Sequence, residues 1–356
     1  MKLLILPGDG IGPEITRATA EVLQSLNSRF VLGFEMVERD IGQKAYEMCG
    51  QTMPEEIFDE IWDADATILG PVDSYAYPPE SEGGVNPSKA VRLKFDLFAN
   101  LRPSKVRPGV PAMIKNMDLV VVRENTEGFY SDRNMHMGNA EFMPTPEVAL
   151  SIRKITREGS RRIAQVAFEK ARERRKKVTV VHKANVLKVT DGLFLKEVKV
   201  VGEHFPDVEL EEVIVDAMAA LLIRRPESFD VILTTNMYGD ILSDEAAELS
   251  GGLGFGPSIN VGENIAISQA AHGSAPDIAG HDSANPTAHM LSAQMLLQWI
   301  AMRREDNQLG NAAMVMEQAI NSALRNPDTQ TQDVNGPLGT RAFGTVVAEI
   351  IKNSNL

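Results

Sequence analysis

Short apolar runs alternate along this chain with segments whose apolar residues recur at helical spacing, and no other feature constrains the fold as strongly. Strands separated by helices are joined by crossovers, so they run largely parallel and are buried between helices; the expected class is α/β. Leu3 to Leu6 form the first run. Pro13 sits at a plausible first helical position, and Ile15, Ala18, Val22, Leu23 and Leu26 then fall on one helical face. Residues 34–37, a helix opened by Pro54-Glu55-Glu56, and the run Thr67-Ile68-Leu69 continue the pattern. DLVVVR, a charged helix near 156–176, VTVVHK, EEVIVD, a short helix and DVILTT follow. Gly251, Gly252, Gly254 and Gly256 mark a crossing, after which a strand, a loop and three helices near 287–303, 311–325 and 340–352 complete the chain.

A length of 356 residues is too great for one simple core, so two domains with a cleft between them are expected. Residues 1–96 and 251–356 would form one, with 97–250 as the other. The formal net charge of −13 offers no basic field to hold nucleic acid or an anionic membrane. One cysteine, Cys49, rules out an internal disulfide, and MKLLILPGDG reads as a strand and loop, not a cleavable signal. No apolar run approaches the ~20 residues of a membrane span. A cytoplasmic setting follows.

The most informative stretch is NMYGDILSDEAAE. Asp240 and Asp244 lie four apart on one helical face. Either they are solvent-facing acids favoured near a helix N-terminus, or a hard divalent cation, Mg²⁺ or Mn²⁺, sits between them. Asp216 closes the run EVIVD, where parallel sheets gather active groups, and could add a third carboxylate or cap the following helix. Lys183 ends VTVVHK and is either solvated or a base with a lowered pKa. Arg92, Arg102 and Arg123 supply cations suited to bidentate grip on carboxylates. Tyr130 is a proton donor or a half-buried aromatic. The loop AHGSAPDIAGHDSANP could wrap a nucleotide, although neither GxGxxG nor a P-loop occurs.

Taken together, LPGDGIGPE at 6–14, DLFANLRP at 96–103, RENTEGFY at 123–130, KANVL at 183–187, VDAMA at 215–219, NMYGDILSD at 236–244 and HGSAPDIAG at 272–280 resemble the decarboxylating β-hydroxyacid dehydrogenases. This is the family of isocitrate, isopropylmalate, homoisocitrate and tartrate/D-malate dehydrogenases. The resemblance spans essentially the whole chain. It implies an isopropylmalate dehydrogenase-like two-domain α/β fold with a central, largely parallel sheet, not a Rossmann fold. Residues 1–96 and 251–356 would bind the cofactor; 97–250 would bind substrate and metal and make the dimer.

The resemblance also implies roles. Arg92, Arg102 and Arg123 match the clamp on substrate carboxylates, with Ser88, Lys89 and Asn185 on the substrate side. Asp216, Asp240 and Asp244 match the metal ligands. Tyr130 matches the acid and Lys183, with Asp216, the base side; Lys183 and Asp216 would serve the partner subunit's site in a homodimer. Ile11, His272, Gly273, Ser274, Ala275, Asp277, Ile278 and Asn285 match the cofactor side. Asp277-Ile278 favours NAD, because a carboxylate accepts from ribose hydroxyls and repels a 2′-phosphate. The implied reaction is NAD-linked, metal-dependent oxidation of a small 2-hydroxy acid followed by loss of CO₂.

Two positions depart from common family patterns. Gln269 stands where many members carry Glu. Asn86-Pro87-Ser88-Lys89 stands where isopropylmalate enzymes present leucines, and an apolar substituent gains nothing from Ser88 or Lys89. The expected substrate is therefore isocitrate- or homoisocitrate-like, or tartrate- or D-malate-like. The alternatives are 3-isopropylmalate and a non-catalytic regulatory subunit of an isocitrate dehydrogenase.

Overall fold

Leu3, Leu4 and Leu6 expose no surface because the first run becomes β1 (Lys2–Leu6), with β2 (Glu35–Glu38) on one side and β3 (Ala66–Leu69) on the other, both parallel to it. The structure, a computed structural model, describes residues 1–130 and 140–353. Between these strands lie α1 (Gly12–Phe30), α2 (Gln43–Cys49) and α3 (Glu55–Asp63), followed by the short helix α4 (Pro87–Lys94). Then come β4 (Ala99–Lys105), β5 (Asp118–Glu124), and the hairpin β6 (Glu141–Thr145) and β7 (Val148–Ser151). Next are α5 (Arg157–Arg172), β8 (Lys177–His182), α6 (Thr190–Gly202), β9 (Glu209–Ile214) and α7 (Val215–Arg224). β10 (Val231–Thr234), α8 (Asn236–Ser250), β11 (Ile259–Val261) and β12 (Ala266–Ser268) precede α9 (Thr287–Arg304), α10 (Asn307–Arg325) and α11 (Thr340–Asn353).

A ten-stranded sheet runs in the order β2-β1-β3-β12-β11-β4-β5-β10-β8-β9. It is mostly parallel, as the alternation of strands and helices required. The antiparallel pairs are confined to the middle, where β11 meets β12 and β4, and β4 meets β5. Both ends of the chain build the half from β2 to β11, and the central segment builds the half from β4 to β9. Helices α1, α9, α10 and α11 pack with one another through residues of the largest buried apolar cluster.

The parallel pairings of β5, β10, β8 and β9 send their carboxyl ends to one edge, so Arg123, Lys183, Asp216 and Asn236 emerge together there. The strand boundaries adjust two expectations. Pairing of β8 with β9 ends at His182 and Ile214. Lys183 thus lies just past its strand, and Asp216 lies in the first turn of α7 with no side-chain capping bond. The hairpin β6–β7 carries no strand signal in the sequence, since its residues are exposed on both faces and lack the alternation that marks a half-buried strand. Among the described residues no helix is long and apolar enough to cross a membrane.

Candidate active site

Arg123, at the end of β5, is buried with only 2 % of its side chain exposed, and a buried guanidinium needs acceptors for its fork of donors. Its Nε donates to the Asn236 carbonyl oxygen at 2.9 Å, its Nη2 to Asn236 Oδ1 at 2.7 Å, and its Nη1 to Asp240 Oδ1 at 2.5 Å. Asn236 opens α8, so the first turn of this helix grips the arginine from below. Gly239 is required by that approach: a Cβ there would lie 2.6 Å from Arg123 Cγ.

Arg102, on β4, joins the same acid. Its Nη1 lies 3.2 Å from Asp240 Oδ1 and 3.1 Å from Asp244 Oδ1, and donates to Ser243 Oγ at 2.9 Å, while its Nε donates to Asn100 Oδ1 at 2.6 Å. Tyr130 completes the cluster, its hydroxyl donating to Asp240 Oδ2 at 2.7 Å and its ring lying 5.7 Å from the Arg123 guanidinium carbon. Burial works to lift the Asp240 carboxyl, but Arg123, Arg102, the Tyr130 hydroxyl and Arg92 hold it below the ordinary carboxylate range. Asp244 is pushed the other way, by burial and by Asp240, against the pull of Arg102 and Arg123. Five residues named from the sequence, Arg102, Arg123, Tyr130, Asp240 and Asp244, are thereby joined by direct contact, with Arg92 near enough to act through its charge.

Lys183 and Asp216 form a second group. They pair with each other, and the Lys183 hydrogen bond holds Asp216 below its usual range. Among the described residues, neither makes a hydrogen bond or ion pair with Asp240 or Asp244. No group of three His, Cys, Asp or Glu among the described residues could hold a metal. One chain thus supplies two adjacent carboxylates whose oxygens both reach Arg102 Nη1, a pair of hard donors fit to share a cation but short of a full ligand set. Asn185 is exposed, with Val186 65 % and Val189 84 % exposed beside it.

On α4, Asn86 caps the helix by accepting from the Lys89 N–H at 3.1 Å. Ser88 and Arg92, four apart, share one face. Ser88 Oγ accepts from Gln269 Nε2 at 2.6 Å, and the same nitrogen reaches the Gly70 carbonyl at 3.1 Å. Lys89 pairs with Glu80 at 2.9 Å.

The two glycine-rich loops meet each other. Ile11 N–H donates to the Ser274 carbonyl at 2.8 Å, and Gly10, at φ 57°, leaves no room for a Cβ, which would stand 2.0 Å from that same oxygen. Ile11 packs with Ile15 and Ala284, backed by Ala275. His272 Nδ1 lies 3.0 Å from the Gly273 carbonyl, so Nδ1 carries the proton, and the buried Nε2 has no hydrogen-bond partner among the described residues. Burial lowers the His272 pKa. Asp277 and Ile278 are exposed, while Asn285 donates to Asp333 at 2.9 Å and accepts from Thr287 N–H at 2.9 Å. A cavity of about 490 Å³ is lined by Gly10, Pro13, Glu14, Gly280 and Asp282 among others.

Sequence reasoning named neither Asn236 nor Asn100 as a working residue, yet both fix the arginine clamp. Asn236 had a signal, since it opens the NMYGDILSD motif; the role of Asn100 depends on cross-strand neighbours.

The family model described as isocitrate/isopropylmalate dehydrogenase matches residues 2–347. The chain is 41 % identical over 354 residues to the 3-isopropylmalate dehydrogenase of Methanothermobacter thermautotrophicus and, equally, 41 % over 354 residues to the isocitrate/homoisocitrate dehydrogenase of Thermus thermophilus, covering 99 % of both chains in each case. The crystal structure of isocitrate dehydrogenase from Methylococcus capsulatus superposes with a TM-score of 0.88 at 35 % identity, again covering 99 % of each chain.

Proposed function

The chain belongs to the isocitrate/isopropylmalate dehydrogenase family, and on that premise we propose that it oxidises a 2-hydroxy di- or tricarboxylic acid with NAD and Mg²⁺ or Mn²⁺, releasing CO₂. As a family member it is a dehydrogenase acting on a CH–OH group. The observation that carries the proposal is the convergence of Arg102, Arg123 and Tyr130 on Asp240. Cations buried at such a point exist to receive anions, and a substrate carboxylate is the bidentate partner that arginine favours.

Asp240 and Asp244, with Asp216 contributed by a second copy of the chain, would hold the cation, whose chemistry there would be to polarise the substrate hydroxyl and carboxylate and to offset developing negative charge. Lys183, working with Asp216, would take the hydroxyl proton, and the bound NAD would supply the hydride acceptor. Tyr130 returns a proton to the carbon skeleton after CO₂ departs. Arg92, Arg102 and Arg123 hold the carboxylates, with Ser88, Lys89 and Asn185 at the rest of the substrate.

NAD is supported by the orphaned Nε2 of His272, a buried polar atom in the loop that would wrap the nucleotide, and by the exposed carboxylate of Asp277. Ile11, Gly273, Ser274, Ala275, Ile278 and Asn285 would line the same site. The two halves of the sheet act as the cofactor lobe (1–96 and 251–356) and the substrate lobe (97–250), closing on the ligands. A homodimer with shared sites is supported by exposed apolar residues where Lys183 emerges, Val186 and Val189, and on the adjoining α7 and α8, Ile223 and Ile241. The single exposed thiol, Cys49, suits the reducing cytoplasm.

For the substrate, the polar end of α4 favours a polar or anionic substituent: Ser88 and Lys89 offer a hydroxyl and an ammonium one turn before Arg92. Isocitrate- or homoisocitrate-like acids, or tartrate or D-malate, fit that chemistry. The second reading, 3-isopropylmalate, rests on the relative of that name at 41 % identity. The deciding experiment is NADH formation with Mg²⁺ or Mn²⁺ across isocitrate, homoisocitrate, D-malate, L-tartrate and 3-isopropylmalate, with NADP in parallel. Turnover confined to 3-isopropylmalate overturns the specificity; no turnover with any of them favours a regulatory subunit.

A further inference from the structure

Asp191, in the first turn of α6, is a carboxylate with no exposed surface, and a charge so placed must be compensated on every side. One oxygen pairs with Arg153; the other accepts the backbone N–H of Lys183 at 2.6 Å. Arg153 is in turn fixed from several directions. Its Nη1 donates to Thr190 Oγ1 at 3.1 Å and its Nη2 to Thr235 Oγ1 at 3.0 Å, and its guanidinium carbon lies 5.5 Å from the Phe129 ring and 5.3 Å from the Tyr238 ring.

We propose that Asp191, clamped by Arg153, is a positioning residue that sets the backbone from which the Lys183 side chain reaches its substrate. Lys183 lies one residue beyond the last paired residue of β8, so the sheet does not fix it. The loop after it is partly exposed, and Asp191 Oδ2 is the acceptor that anchors its amide. The clamp also ties that amide to the cap of α8, which carries Asp240, and to Phe129, which precedes Tyr130. One buried ion pair thus links the base side to the acid and metal side within a single chain. Such links matter because a displacement near 1 Å at a reacting group costs about a hundredfold in rate.

This inference rests on the reading of Lys183 as the base-side lysine. Its test is a mutant cycle in the intact enzyme. Asp191→Asn is expected to lower kcat about tenfold or more, with KM for the hydroxy acid held within about twofold, since the arginine clamp lies elsewhere. In a Lys183→Ala background, with turnover restored in part by added methylamine, the same Asp191→Asn change is expected to cost almost nothing further. The paired substitution Arg153→Gln with Asp191→Asn leaves no uncompensated buried charge and repeats the measurement should the single variant fold poorly. Equal losses in both backgrounds, or wild-type kcat in the folded variants, overturn the inference. Full turnover by Lys183→Ala without amine would instead overturn the reading of the lysine itself.

Discussion

Tyr130 donates its hydroxyl proton to Asp240 at 2.7 Å, on the carboxylate oxygen opposite the one held by Arg123. The bond holds the phenol, and the one proton it could transfer, aimed at the acid pair. Tyr130→Phe removes the proton and nothing of the ring. General acid catalysis contributes roughly 10²–10⁴-fold, so turnover should fall by about that factor with KM for the hydroxy acid little changed. Steady-state kinetics on the preferred substrate decide it, and a variant that keeps kcat removes Tyr130 from the reaction.

Lys183 and Asp216 touch each other but not Asp240 or Asp244. If a complete site draws on two chains, a mixed dimer of Lys183→Met and Asp240→Asn chains contains one intact site. Each homodimer should be inactive, and mixing the two by co-expression should restore close to half of the wild-type rate per mixed dimer. Absence of complementation in isolated mixed dimers would mean that each chain builds its site alone.

What the sequence made legible is what local geometry alone decides. Asp240 and Asp244 share a helix face by spacing, Arg123 stands at a strand end by pattern, and the parallel sheet follows from the alternation of elements. Contacts made across long sequence separation were not legible: Asn236 holds Arg123 from 113 residues away, and Asn100 meets Ser258 from 158. The antiparallel joint was equally hidden. β11 has three residues, too few for a periodic signal, and its direction is fixed by pairing with β4 and β12. Asp191 and Arg153 stayed silent because a buried charge pair reads, in sequence, like two surface residues.

Gly239 supplies a steric test of the clamp. An alanine Cβ would stand 2.6 Å from Arg123 Cγ and 2.8 Å from its Cβ, so the arginine or the helix must shift. Because Arg123 grips substrate in this reading, Gly239→Ala should raise KM for the hydroxy acid about tenfold or more while leaving NAD binding intact. Affinity for NAD, followed by fluorescence titration, separates a local displacement from general misfolding. Unchanged KM would show that α8 yields without moving the arginine.

His289 lies on α9 with no exposed surface; Thr16 Oγ1 is 3.3 Å from its Nε2, and its Nδ1 has no hydrogen-bond partner among the described residues. Burial, and then His272, push its pKa down to about 3, so the folded protein keeps the ring neutral where the unfolded chain would protonate it. The unfolded state therefore binds more protons below its own pKa, ~6.5, and stability falls as pH drops through the window from there toward 3. Between pH 6.5 and 5 the loss from this one group is about 2 kcal/mol, at 1.36 kcal/mol per unit. Urea unfolding at pH 7.5, 6.5 and 5 should show the decline in the wild type, and His289→Gln, which cannot titrate, should flatten it by that amount. An identical pH dependence in the two proteins would assign the acid sensitivity to other groups.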